Sequence, residues 1–337
     1  MKGGDYIGID EVDVKILMTL LRNPRTGFVE IANELKISAN TIRSRFERLK
    51  RTGVITGAIM QINPKSLGYN CIANLMIRTD YKEDKKILEF LETIPNIISF
   101  HTQLGKYNLV CFAALKTTDE LAHMIEQLSR HPNIMKVSSN IWVDVINMDH
   151  PENLLIPQDS RNQSGTNPKW VRPELFKENN SVPDLKLDKT DITIMKLISE
   201  NARMSFRKIS SQMGLSTLAI IKRYNRLRKD VLTFASITID LGKIGYIGNA
   251  FFGIKVSNKN MVSIVLKKIV QIPNIIVAYR VLGEIDLIVG VPFSNMEQLT
   301  NQYNNITKTP GVIEVELFLH KPFPNWPLNL FSKLISI

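Results

Sequence analysis

The sequence predicts an α+β protein in which one two-part unit is used twice: a bundle of three short helices followed by a β-α-β-β-α-β module. Three observations predict it. Two short helical faces meet across a capped turn between Phe28 and Lys50, the hydrophobic period turns strand-like at Cys71, and from Asp188 onward the same landmark residues return at one constant offset. A chain of 337 residues has room for such a duplication.

The first helix spans Asp10 to Arg22. Asp10 caps it, Asp13 occupies the third helical position, Val14, Leu17, Met18 and Leu21 form an apolar face, and Asn23-Pro24 stops it. Phe28, Ile31, Ala32 and Leu35 mark the second helix. The third starts at Ser38, whose hydroxyl answers orphan N–H groups and lets the helix begin abruptly, buries Ile42, Phe46 and Leu49, and ends at Gly53. Its outer face carries Asn40, Thr41, Arg43, Ser44, Glu47, Arg48 and Arg51, with Arg45 beside them. Asn and Arg suit bidentate contacts to adenine and guanine in a major groove. A lone basic helix face is more often merely solvated, but a capped helix, a tight turn, a small residue at Ala32 and a preceding helix together read as a DNA-binding helix-turn-helix over residues 1–62. Val54 to Gln61 reads as a strand, either a wing or a connector.

Residues 63–150 fit a ferredoxin-like unit, an antiparallel sheet with both helices on one face. Strand Cys71 to Arg78 is followed by a helix over Lys82 to Thr93, then strands Ile97 to Leu104 and Tyr107 to Ala114 across Gly105-Lys106, a helix over Thr118 to Arg130, and a strand from Met135 to Val145. Pro151 to Asp184, rich in Pro, Asn, Gln and Ser, reads as a linker over 151–184, which Trp170, Leu175 and Phe176 would pin to a domain.

Asp188, Asp191, Arg203, Phe206, Ile209, Ser216, Ile220, Arg223 and Leu227 then fall where Asp10, Asp13, Arg25, Phe28, Ile31, Ser38, Ile42, Arg45 and Leu49 fell. Ile272-Pro273-Asn274-Ile275 repeats Ile94-Pro95-Asn96-Ile97, and Leu282-Gly283 repeats Leu104-Gly105. A second helix-turn-helix is therefore expected over 185–241 and a second α+β module over 242–321. The tail, 322–337, with Pro322, Pro324 and Pro327, should pack irregularly and end in a short apolar turn.

Forty-three Lys and Arg against 32 Asp and Glu give a net charge of +11, which favours a polyanionic partner. Double-stranded DNA fits better than a membrane, because no long apolar run or basic amphipathic anchor is present. MKGGDYIGID has no apolar leader, so a cytoplasmic protein is expected. Cys71 and Cys111 read as small buried hydrophobes, and the five histidines form no metal-ligand spacing. No phosphate loop or catalytic triad has motif support, so neither a cofactor nor an enzyme is expected.

These residues resemble the Lrp/AsnC (feast/famine) transcription regulators: the Asp10 and Asp13 helix start, Arg43 to Leu49, the hairpin Gly105-Lys106-Tyr107-Asn108 against a Gly-x-Tyr-Asp pattern, and Pro310-Gly311-Val312. The resemblance implies one reader and one effector and oligomerisation domain per unit. It also implies a small-molecule effector such as an amino acid held near Gly105, Tyr107 and Asn108, and near Gly283 and Asp286. Where the family has Asp, copy one has Asn108 and copy two Asp286, so a cationic amine is expected to prefer the second site; the alternative reading is that these residues only turn and brace hairpins. The chain looks like two subunits fused, pairing as an intrachain pseudo-dimer, a homo-oligomer, or both.

The copies differ where bases would be read. Leu218, Ala219 and Ile221 replace Asn40, Thr41 and Arg43, and no Asp or Glu occurs from Asn201 to Lys229. Copy one is expected to read sequence, while Ser216, Thr217, Lys222, Arg223 and Arg226 of copy two clamp phosphates, with apolar contacts to thymine methyls beside them; alternatively copy two is a spacer or dimer contact. Three competing readings are a sirohaem-decarboxylase-like enzyme of the same fold, with His101 ahead of Tyr107-Asn108-Leu109, a chromatin-like non-specific DNA binder, and an adaptor without DNA.

Overall fold

A computed structural model describes residues 8–80, 84–147, 154–155 and 186–335. In the first reader α1 (Glu11–Arg22), α2 (Phe28–Leu35) and α3 (Ala39–Arg51) lead into β1 (Ile55–Ile62). The first module runs β2 (Cys71–Thr79), α4 (Asp84–Thr93), β3 (Ile97–Thr102), β4 (Leu109–Leu115), α5 (Thr118–Ser129), β5 (Ile134–Asn147). The second reader is α6 (Lys189–Glu200), α7 (Phe206–Met213), α8 (Thr217–Asp230) and β6 (Leu232–Ile239). Its module is β7 (Gly248–Val256), α9 (Val262–Ile269), β8 (Val277–Leu282), β9 (Leu287–Phe293), α10 (Met296–Thr307) and β10 (Val312–His320).

The expected caps are in place. Asp10 and Asp13 exchange side-chain bonds with each other's N–H groups at 2.9 and 3.1 Å, and Asp188 and Asp191 do so at 2.8 and 3.1 Å. Ser38 and Ser216 accept from the N–H groups of Thr41 and Ala219. The turn into each recognition helix needs one left-handed residue: Gly214 takes it in copy two, and Lys36 takes it in copy one at a steric cost glycine avoids.

The readers interlock. β1 and β6 pair antiparallel, with Ala58 opposite Ile237, so each strand connects its reader to the other copy's. α1 packs on β6 and α6 on β1, and Leu17, Leu20, Ile31 and Leu49 share one core with Ile194, Ile198, Ile209 and Leu227. Two half-buried arginines cross this interface. Arg25 donates to the carbonyls of Ala202 and Met204 with its guanidinium 4.2 Å from the Phe206 ring; Arg203 donates to the Pro24 carbonyl and lies about 5 Å from the rings of Phe28 and Phe46.

The two modules form one eight-stranded sheet ordered β10-β7-β9-β8-β5-β2-β4-β3, each half in ferredoxin-like order. Alternation sorts β2: Ala73, Leu75 and Ile77 face α4 and α5, whereas Ile72 and Met76 face the core that holds Phe318 and Phe331. The halves join along β5 and β8, with Ile141 opposite Leu282. At the opposite seam Leu104, just past β3, bridges Leu319 of β10 at 2.8 and 2.9 Å, and among the described residues no ladder extends from it. The cause is in the sequence. After His320, Pro322 and Pro324 have no N–H to extend a ladder, and the tail turns inward to bury Phe323, Trp326 and Phe331, bridging β6 at Ile239.

The β3–β4 hairpin is wider than the two-residue Gly105-Lys106 turn expected, because β3 ends at Thr102 and β4 begins at Leu109. Leu104 leaves to bridge Leu319, and the Asn108 side chain turns to Thr79. Cys71 and Cys111 are buried and unpaired, and burial pushes the Cys111 thiol up to about 12. Of the expected linker only Leu154 and Leu155 are described, both buried; its expected anchors Trp170, Leu175 and Phe176 lie outside the described residues. No helix among the described residues is long and apolar enough to cross a membrane.

Candidate nucleic-acid interface

The cap at Ser38 aims the first two turns of α3 outward. Asn40, Thr41, Arg43, Ser44 and Arg51 are exposed, and Asn40, Thr41 and Ser44 line an open groove with Gly8, Ile9, Asp10, Arg45 and Arg48. Ile42, Phe46 and Leu49 anchor the opposite face.

Arg45 and Arg48 have a task besides any contact with phosphate. Arg45 donates to Asp10 at 2.6 Å and to Asp13 at 3.0 Å, while Arg48 pairs with Asp13 and donates to the Gly8 carbonyl at 2.9 Å. Arg45 holds the Asp10 carboxyl below its usual range. Asp13 is fully buried, so the capping box is also the clamp that fixes α3 against α1. Copy two repeats it, with Arg223 on Asp188 and Asp191 and Arg226 on Asp191. Four of the expected DNA-contacting arginines are thus scaffold cations whose side chains remain about one quarter to two fifths exposed. The signal was in the chain: an Asp-x-x-Asp and an Arg-x-x-Arg recur together at one offset.

On α8, Ser216, Thr217, Leu218, Lys222 and Arg226 are exposed. Lys222 stands where copy one has Ser44, and no carboxylate lies between Asn201 and Lys229. The sequence marks Arg25 only as a landmark of the repeat and Arg203 only as one more cation of copy two. They tie the readers into one rigid pair, and burial lowers both guanidinium pKa values.

The expected effector residues serve the two hairpins. A Cβ on Gly105 would lie 2.7 Å from the Leu317 carbonyl, and one on Gly283 2.4 Å from that of Ser139, so both glycines admit a neighbouring strand. Asn108 accepts the Thr79 N–H at 2.8 Å. Asp286 accepts the Val256 N–H at 2.9 Å and pairs with Lys259, so the countercharge expected for an amine is already matched within the chain. Tyr107 donates to Glu284 at 2.8 Å, Lys136 pairs with Glu284 at 2.8 Å, and Lys106 with Glu316 at 2.6 Å. Lys106 and Glu284 occupy equivalent hairpin positions and lie 3.7 Å apart, an opposition that identical subunits could not make.

His101 is half-buried against Phe112 and Phe323, 2.9 Å from the Ser99 hydroxyl. It lines a cavity with Asn74, Tyr279, His320 and Phe323, and a second cavity includes Gln61, Trp142 and Trp326. Phe323, Trp326, Leu328 and Phe331 of the tail help to line these cavities, whose volumes of about 30 and 50 Å³ are enough for a water or two and far from enough for a tetrapyrrole.

The sequence profile described as the AsnC-type helix-turn-helix domain matches residues 9–50 and 187–228, and that of the Lrp/AsnC ligand binding domain matches 72–151 and 249–320. The HTH-type transcriptional regulator Ptr1 of Methanocaldococcus jannaschii is 36% identical over 119 residues, 35% of this chain and 80% of that protein. Regulatory protein AsnC of Escherichia coli is 31% identical over 119 residues, 35% and 78% of the two chains. Among solved structures the siroheme decarboxylase NirDL aligns over 97% of both chains with a TM-score of 0.63 at 13% identity, a likeness of fold. The chain belongs to the Lrp/AsnC family, with two helix-turn-helix domains and two ligand-binding domains joined in tandem.

Proposed function

We propose that this protein is a cytoplasmic, sequence-specific transcription regulator that binds double-stranded DNA through two unequal readers held as an intrachain pseudo-dimer. The observation that carries the reading is the exposed start of α3, where Asn40, Thr41, Arg43 and Ser44 stand free of the ion pairs that occupy Arg45 and Arg48. Asn40 and Arg43 supply the hydrogen bonds that discriminate base pairs, while Lys222, Arg51 and the outer edges of the clamped arginines supply phosphate contacts that set register. The clasp of Arg25 and Arg203 and the shared core hold the readers at a fixed separation, expected to be about 34 Å, one turn of duplex.

A small-molecule effector such as an amino acid acts, in this reading, through the paired hairpins, and an amine reaches Asp286 only by displacing Lys259. The test is footprinting of the purified protein on fragments of its own genome at near-physiological salt, because non-specific affinity falls steeply with salt. A discrete footprint lost with Arg43→Ala is expected. Uniform coverage insensitive to Arg43 would replace the regulator with a chromatin-like binder. A coloured preparation inert toward DNA would restore the tetrapyrrole-enzyme reading.

A further inference from the structure

We infer that the second reader recognises thymine 5-methyl groups, with Leu218 as the residue that selects them, so that the operator has one half-site read by hydrogen bonds and one read by apolar contact. The inference rests on the DNA-binding function proposed above.

Leu218 is the second residue of α8, the position Asn40 occupies on α3, and residues at the start of a recognition helix are those that reach base edges. It is 75% exposed. It takes no part in the buried face of α8, which Ile220 and Leu227 fill, while the half-buried Phe206 and Tyr224 pack against each other at a tilt. Ile221 stands one helical turn on, where copy one has Arg43, and extends Leu218 into a short apolar ridge.

The surroundings of the ridge are cationic. Lys222 flanks it, Arg207 and Lys208 are exposed on α7, and no carboxylate occurs from Asn201 to Lys229. A partner for this face must be a polyanion that displays isolated methyl groups. Duplex DNA meets both conditions, because each A·T pair presents one C5-methyl in the major groove. Two apolar side chains are too few for an anionic bilayer, which takes up a helix with a broad apolar face. Copy one, with Asn40 and Arg43, suits a patterned set of donors and acceptors instead. The operator is accordingly not a palindrome, since the two helices cannot share one base preference.

The experiment replaces thymine by deoxyuridine, which removes the methyl and leaves the hydrogen-bonding pattern intact, separately in each half of the footprinted site. Wild-type affinity is expected to fall about fourfold for each contacted methyl removed from one half-site, with little change on substituting the other. Leu218→Ala should bind thymine and uracil sites alike at unchanged melting temperature, and Leu218→Asn should shift the preferred bases of that half alone. Equal affinity of the wild-type protein for thymine and uracil sites, or an equal penalty in wild type and Leu218→Ala, overturns the inference. If no discrete footprint exists, the regulator reading fails on that observation by itself. The methyl readout is then decided on poly(dA-dT) against poly(dA-dU), where equal binding refutes it and a preference for thymine lost in Leu218→Ala sustains it.

Discussion

In both readers two aspartates of a capping box grip two arginines of the recognition helix: Asp10 and Asp13 hold Arg45 and Arg48, and Asp188 and Asp191 hold Arg223 and Arg226. Both also send one arginine, Arg25 or Arg203, into the other reader. Outside that shared frame the helices diverge, with Asn40, Arg43 and Ser44 answered by Leu218, Ile221 and Lys222. Within a duplicated chain, what is repeated is what the fold requires, and what has changed is what each copy presents to its partner.

The largest effect should come from removing the buried aspartate. Asp13→Ala leaves Arg45 and Arg48 without their buried countercharge, and Asp191→Ala does the same to Arg223 and Arg226. Because the arginines left behind are partly exposed, and Arg45 and Arg223 keep Asp10 and Asp188, the loss should lie at or below the lower end of the about 3 to 5 kcal/mol that breaking a fully buried pair costs. Urea denaturation should show similar losses for the two variants, and a large inequality would break the claim of a common frame. The clasp comes next. Arg25→Ala loses two carbonyl hydrogen bonds and Arg203→Ala one, each with contacts to two aromatic rings, about 1 to 3 kcal/mol for either variant. The double variant should tolerate half-site spacings the wild type rejects, which selection from pools of varied spacing would reveal.

Much of this was legible in the sequence and some was not. Helical and strand periods place the elements to within a few residues, and capping signatures at Asp10, Ser38, Asp188 and Ser216 mark where helices start. The expected clamping role of Arg223 and Arg226 rests on a basic stretch free of carboxylates from Asn201 to Lys229, which does not tell that Asp188 and Asp191, some 35 residues earlier, bend round to meet them. The clasp joins residues about 178 positions apart and leaves no local trace beyond the recurrence of an arginine. The open seam was written in Pro322 and Pro324, but its meaning depends on which strand they fail to pair.

The division of labour between readers should show at a smaller scale. Arg43→Ala is expected to cost about 1 to 3 kcal/mol at one base pair and little elsewhere. Lys222→Ala should weaken binding to all sequences alike and flatten the log-log salt dependence by about one unit. Neutralising Arg226 is a poorer probe, because it also frees Asp191. Competition binding against single-base variants at several salt concentrations separates the two, and an equal shift of preference by both would end the comparison.

The smallest effect lies in the hairpins, where the copies carry opposite charges. Lys136, with the Tyr107 hydroxyl, draws Glu284 down to about 2 from its ordinary 4.5. A depressed carboxylate contributes stability that is complete above the unfolded value and is lost as pH falls from about 4.5 toward 2. His320 acts over a higher window: burial lowers its imidazole to about 4, so its neutral form favours the folded chain and acid erodes stability from about 6.5 down to 4. Glu284→Gln should therefore leave the descent between pH 6.5 and 4.5 intact and flatten only the part below 4.5. Trp142, on the strand that joins the halves, packs on Tyr279 and reports the seam by its emission. Because Glu284 is more than one third exposed, solvent screens its pairing and the change should be slight. An unaltered acid limb in this variant would mean that the opposed hairpin charges select the partner without stabilising the pair.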